Sequence, residues 1–175
     1  MNKTALLYSP EGGNVNRVTI KLGEVIGNDK VDIVPVREVV KGDLNKYNQI
    51  IFVGSTVGAD HWSNETLVDE WQEFFTKMDE ISFKDKKVAI VGLGNSVLYP
   101  EHFADGMAHL HKTITENKAK ILGFVDAKDY TFTDSEAVND DGFFCGLPID
   151  EDNEEELTTE RLEKWISILK LDFEF

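Results

Sequence analysis

Ile50-Ile51-Phe52-Val53-Gly54 is apolar at every position up to its glycine. A run this short and without alternation reads as a strand covered on both faces, the habit of parallel sheets. Ala5 to Tyr8 and Val88-Ala89-Ile90-Val91 have the same character, and Ile121 to Val125 begins another such strand. Val31, Ile33, Pro35 and Val39-Val40 suggest a further strand at a sheet edge, because Pro35 cannot donate a ladder hydrogen bond. Between these runs apolar residues return at helical spacing. Val15, Val18, Leu22, Val25 and Ile26 form one face, with Asn14 expected as its cap and Gly27-Asn28 as its stop. Leu67, Trp71, Phe74, Phe75 and Met78 form a second, and Phe103, Met107, Leu110 and Ile114 a third with Pro100 in its first turn. Leu162, Trp165, Ile166 and Leu169 form the last, with Thr158 as cap and Leu157 stapled to Leu162. Strands and helices in this alternation make an α/β protein, a parallel sheet wound in right-handed crossovers. Ligands of such sheets bind beyond the carboxyl ends of the strands, which directs attention to residues 9–14, 54–64 and 92–99.

The chain has 175 residues, enough for one domain spanning 1–175. It holds 33 Asp plus Glu against 18 Lys plus Arg, a net charge of -15, which excludes the basic face that nucleic-acid binding requires. Eleven Phe, four Tyr and three Trp supply core material that a disordered acidic chain lacks. The single cysteine, Cys145, excludes an internal disulfide and suits a reducing, cytoplasmic setting. No run approaches the roughly 18 apolar residues of a membrane span, and the apolar N-terminal stretch is too short for a signal segment.

Three loops carry chemistry. Ser9-Pro10-Glu11-Gly12-Gly13-Asn14 leads from a strand into a helix, where glycines let backbone N–H groups approach a phosphate; it reads equally as a glycine turn capped by Asn14. Residues 55–64 place His61 and Trp62 in a polar segment, Trp62 either covering a flat heterocycle or packing on its own helix. Gly92-Leu93-Gly94-Asn95-Ser96-Val97-Leu98-Tyr99-Pro100 lacks the third glycine of a dinucleotide fingerprint, but Tyr99 can present its ring to the same cleft.

With these loops, the chain resembles a flavodoxin of the long-chain type over essentially its whole length, most specifically in its C-terminal third. Tyr130-Thr131-Phe132, Asp134-Ser135, Phe143, Gly146-Leu147, Ile149-Asp150-Glu151-Asp152-Asn153, Leu157-Thr158 and Trp165 carry the pattern, with Gly92-x-Gly94, Tyr99 and Phe103. The resemblance implies a flavodoxin-like, doubly wound five-stranded parallel sheet in order 2-1-3-4-5, with helices on both faces. An insertion around 126–145 interrupts its last strand, which resumes from Phe143. It also implies a low-potential one-electron carrier using FMN. Tyr99 would stack on the outer face of the flavin, Trp62 would cover the inner face, and backbone of Gly92, Leu93, Gly94 and Asn95 would meet the pyrimidine edge. Asp152 would lie near the ribityl chain, and Asn95 stands where an aspartate is usual. Thr56, Val57 and Gly58 belong to the loop whose peptide turns toward flavin N5, Gly58 permitting the turn.

Ser9, Glu11, Gly12, Gly13, Asn14 and Val15 would hold the phosphate, yet this loop departs from the family pattern of Ser and Thr hydroxyls, of which at most one survives. Glu11 adds a carboxylate that, at about 6 Å from one unit of phosphate charge, repels by about 3 kcal/mol at an effective dielectric near 20. Arg17, one turn into the helix, is expected to compensate weakly. Two alternatives stand beside the carrier: a flavodoxin-like binding or regulatory module with weakened or lost FMN binding, and an FMN enzyme, for which no substrate pocket is marked. A receiver domain is poor, since no phosphorylatable aspartate ends the third strand. The acidity implies docking to basic redox partners, such as a flavodoxin/ferredoxin reductase or another oxidoreductase, by a monomer. Asp60, Glu65, Asp69, Asp150, Glu151 and Asp152 would contribute, or residues 151–156 would form a merely solvated acidic loop.

Overall fold

The computed structural model describes residues 3–40, 42–55, 70–77 and 83–175. Strands β1 (Thr4–Ser9), β2 (Val31–Pro35), β3 (Gln49–Ser55), β4 (Lys87–Leu93) and β5 (Lys120–Ile121) pair in parallel in the order 2-1-3-4-5. Pro35 sits on edge strand β2, opposite Tyr8. Helices α1 (Gly13–Ile26) and α4 (Glu155–Leu169) contribute to the core on one face, and α2 (Glu70–Lys77) and α3 (Gly106–Glu116) to that on the other.

The continuous apolar strands are explained by the period of two. Leu6, Ile51, Val53, Ala89 and Val91 point toward α1 and α4, while Ala5, Leu7, Ile50, Phe52, Val88 and Ile90 point toward α2 and α3. Neither side of these strands meets water, so neither can be polar.

The last strand is split. β5 reaches only Lys87 and Val88 of β4, and β8 (Leu147–Ile149) resumes the pairing against Val91, Gly92 and Leu93. The resumption therefore begins at Leu147 and not at Phe143. Phe143 and Phe144 form β7, which pairs antiparallel with β6 (Val125–Asp126) in a separate ribbon. The reason is packing: Phe144 is fully buried with Phe103, Tyr130 and Phe132, its ring 5.2 to 6.0 Å from theirs, so the insertion brings its own aromatic core.

Three boundary expectations are corrected. Helix α1 begins at Gly13 with Gly12 before it, so Asn14 lies inside the helix and its amide is free to bond elsewhere. Pro100 precedes α3 by a turn, where its carbonyl accepts from Thr133 and Asp134 of the insertion at 2.7 and 2.9 Å; Phe103, Met107, Leu110 and Ile114 are buried as the spacing predicts. Thr158 sits within α4 rather than at its cap, its buried hydroxyl committed to Glu151. No helix among the described residues is long and apolar enough to cross a membrane.

Candidate functional site

A cleft of about 800 Å³ opens at the carboxyl ends of the strands, where the winding reverses between β1 and β3. That volume suits a ligand of cofactor size. One wall is the turn from β1 into α1, with Pro10, Gly12, Gly13, Asn14 and Val15 on the cleft. Gly12 and Gly13 have φ of 91° and 59°, a left-handed pair that glycine adopts without strain, and open space lies before both. The first N–H groups of α1 have no partner within the helix and carry its partial positive charge. Here main chain can hold a phosphate.

The other two expected residues of this loop lie off the cleft. Ser9 is buried, and its hydroxyl donates to Glu70 Oε2 at 2.6 Å. Glu11 turns toward the edge of the sheet, where its Oε2 meets Arg37 Nη2 at 2.5 Å. Arg17 bends back to donate to Asn14 Oδ1, and Asn14 Nδ2 donates to Asp152 Oδ1 at 2.7 Å, crossing the rim of the cleft.

The opposite wall is the loop after β4, with Leu93, Gly94, Asn95 and Tyr99 on the cleft. Gly92 lies just beneath, packed so closely that an added Cβ would come within 2.0 Å of Met107 Cγ; at Gly94 it would come within 2.6 Å of the Ala104 backbone nitrogen. Asn95 organises the loop. Its Oδ1 accepts from the N–H groups of Val97 and Leu98 at 3.2 and 2.8 Å, and its Nδ2 donates to Asp152 Oδ2 at 3.1 Å.

Below this loop Asp150 is fully buried. Its carboxylate accepts from the Ser96 N–H and hydroxyl at 2.8 and 2.7 Å, and from the N–H and Nδ2 of Asn153 at 3.1 and 2.9 Å. Burial pushes this carboxyl up, but the hydrogen bonds outweigh burial and hold it below the ordinary aspartate value. Glu151, also on the cleft, is buried between Lys21 Nζ at 2.7 Å and the Thr158 hydroxyl at 2.5 Å. The expectation that Asp150 and Glu151 serve an acidic docking face is therefore corrected, as is the place of Glu151 in a solvated loop; of this stretch, Asp152, Glu155 and Glu156 are exposed.

Among the expected site residues, Gly12, Gly13, Asn14, Val15, Leu93, Gly94, Asn95, Tyr99 and Asp152 meet around one cleft. Thr56, Val57, Gly58 and Trp62 lie outside the described residues, as do Asp60, His61, Glu65 and Asp69. Sequence reading missed Ser55, His102, Asp105 and Glu136 on the cleft, and the structural roles of Ser96, Asp150 and Asn153. The Asp150-x-x-Asn153 spacing is a turn signal that could have flagged the last pair. Nothing local marks Ser96 or Arg37.

Comparison with known proteins agrees with this geometry. The family model described as flavodoxin matches residues 6–165. The chain is 31% identical to the flavodoxin of Nostoc sp. over 171 residues, covering 98% of this chain and 97% of that protein. It is 32% identical to the flavodoxin of Helicobacter pylori over 173 residues, covering 99% of each. A crystal structure of Fusobacterium nucleatum flavodoxin bound to flavin mononucleotide superimposes with a TM-score of 0.86 at 25% identity, covering 99% of this chain and 100% of that one. With a cleft at the switch point, a glycine turn on one wall and a tyrosine on the other, the chain belongs to the flavodoxin family.

Proposed function

We propose that the chain is a low-potential one-electron carrier that holds FMN in this cleft. The observation that carries the reading is the convergence of the open N-terminal turn of α1, the backbone of Gly94 and Asn95, and Tyr99 on one space of suitable size. The donor set fits the group: main-chain N–H groups for the phosphate, a tyrosine ring for one flavin face, and Asp152 within reach of a polyhydroxyl chain. Bound FMN would supply the redox chemistry, and the chain does the rest. Residues 12–15 bind the phosphate end, Tyr99 and the loop held by Asn95 orient the ring, and the carboxylates oppose added negative charge. Each carboxylate about 10 Å away opposes an added electron by about 1 to 2 kcal/mol before screening, so many of them lower the potential.

The module that has lost its flavin rested on the missing hydroxyls of the phosphate loop, with Glu11 facing the phosphate as a further objection. With Glu11 bonded to Arg37, that further objection weakens. The chain is proposed to work as a single-domain monomer of the long-chain type, its insertion being the aromatic segment between β6 and β8. The net charge suits partners with basic rims, such as a flavodoxin/ferredoxin reductase or another oxidoreductase. Cys145 is buried and its thiol is pushed up to about 11 by burial, which suits residence in the reducing cytoplasm as an inert side chain. Titration of apoprotein with FMN, followed by quenching of flavin fluorescence, tests the reading. Saturable one-to-one binding and a potential well below that of free FMN are expected; absence of binding would reject it.

A further inference from the structure

The loop that should receive a phosphate carries a carboxylate at Glu11, and the structure shows where that charge goes. Parallel pairing of β1 with β2 sets Tyr8 beside Pro35, so the residues that follow the two strands, Glu11 and Arg37, emerge side by side. Arg37 lies in a short 3-10 turn, Val36–Glu38, and its Nη2 stands 2.5 Å from Glu11 Oε2. The pair is unequal: the Arg37 side chain is 57% exposed and that of Glu11 only 28%. Glu11 Oε1 is buried with no hydrogen-bond partner among the described residues, so Arg37 is the cation that compensates this carboxylate. Its neighbours Pro10 and Gly12 face the cleft while Glu11 does not. Tyr8 reports the same local field: burial raises its hydroxyl, Glu11 and Glu38 add to the rise, and Arg37 opposes them.

We propose that Arg37 is a positioning residue for phosphate recognition, acting through Glu11: it draws that carboxylate toward the β2 edge and neutralises it, leaving the cleft-facing N–H groups of residues 12–15 free to take a dianionic phosphate. The inference rests on the flavin reading of the cleft. It explains how a loop without the usual hydroxyls keeps a phosphate site: the chain removes a repulsion instead of adding donors. It also makes the phosphate, and not the flavin ring, the part of the ligand that senses Arg37.

The test compares FMN with riboflavin, which shares the ring and lacks the phosphate, on apoprotein of wild type, Arg37→Ala and the double variant Arg37→Ala/Glu11→Gln. Releasing one carboxylate near the phosphate weakens FMN binding in Arg37→Ala by about tenfold to a hundredfold at low salt, less at high salt. Riboflavin affinity stays within about twofold of wild type by the same reasoning, since a neutral ligand gains no charge repulsion. The double variant regains most of the lost FMN affinity. Equal loss of FMN and riboflavin in Arg37→Ala, unchanged FMN affinity in it, or a double variant as weak as the single one would each overturn the proposal. Wild type that binds the two flavins equally would overturn it while leaving the flavin site standing; wild type that binds neither would overturn both.

Discussion

Asn95 shows how one atom changes a site. Its Nδ2 donates to Asp152 Oδ2 while its Oδ1 accepts from two loop N–H groups. An aspartate, usual in flavodoxins at the matching position, could make the second set of bonds but would set two carboxylates 3.1 Å apart. Asn95→Asp is therefore expected to lower stability at pH 7 by about 1 to 3 kcal/mol, measured by urea unfolding, with most of the loss recovered as pH falls toward 4. Among the described residues, Arg17 reaches the cleft through Asn14. Arg17→Ala is expected to weaken FMN binding by less than about tenfold, as befits an exposed cation worth about 1 kcal/mol or less; unchanged affinity would remove Arg17 from the account.

At the level of the element, the loop after β4 is held from below by Asp150, and its conformation depends on that carboxylate being ionised. The folded-state pKa is depressed, so the contribution to stability is complete above the ordinary value of 3.8 and is lost as pH falls through that value toward the depressed one. Asp150→Asn is expected to destabilise the fold by about 1.5 to 3 kcal/mol at pH 7. The gap between its urea midpoint and that of wild type should hold constant from pH 7 to about 5 and narrow below about 4. The comparison must be a difference, because acidification also relieves the general repulsion of 33 carboxylates. Helix α4 is tied to the split strand by Trp165, fully buried, whose Nε1 donates to Gly123 O at 2.7 Å. Trp165→Phe keeps an aromatic ring but removes the pyrrole portion of the indole and orphans that carbonyl, and a loss of about 2 to 4 kcal/mol in thermal or urea unfolding is expected.

Across the whole molecule, a net charge of -15 acts on stability and on encounter together. Added salt screens self-repulsion and should raise the unfolding temperature at pH 7. The same salt should slow association with a basic redox partner, because steering falls off over a Debye length of about 10 Å at 0.1 M. Stopped-flow association rates between 20 mM and 500 mM salt check the second point; a rate independent of salt would show that charge does not guide docking. The two effects oppose one another only in appearance, since each is the weakening of one long-range field.

Much of this was legible along the chain because it depends on near neighbours. Runs such as Ile50 to Val53 must be covered on both faces whatever covers them, and the buried positions of α1, α3 and α4 follow from a helical period that needs no partner to be read. The glycines of the first and third loops announced the walls of the cleft for the same reason: Gly12 and Gly13 reflect a local φ. Charge placement was not legible. Glu11 reads as an obstacle to a phosphate until the register of β1 against β2 brings up Arg37, and Asp150 and Glu151 read as part of an acidic docking face until the fold buries them against Ser96, Lys21 and Thr158. Hydrogen bonds and ion pairs join residues far apart in sequence, and the sign of a carboxylate's effect is set by distances that exist only once the strands have paired.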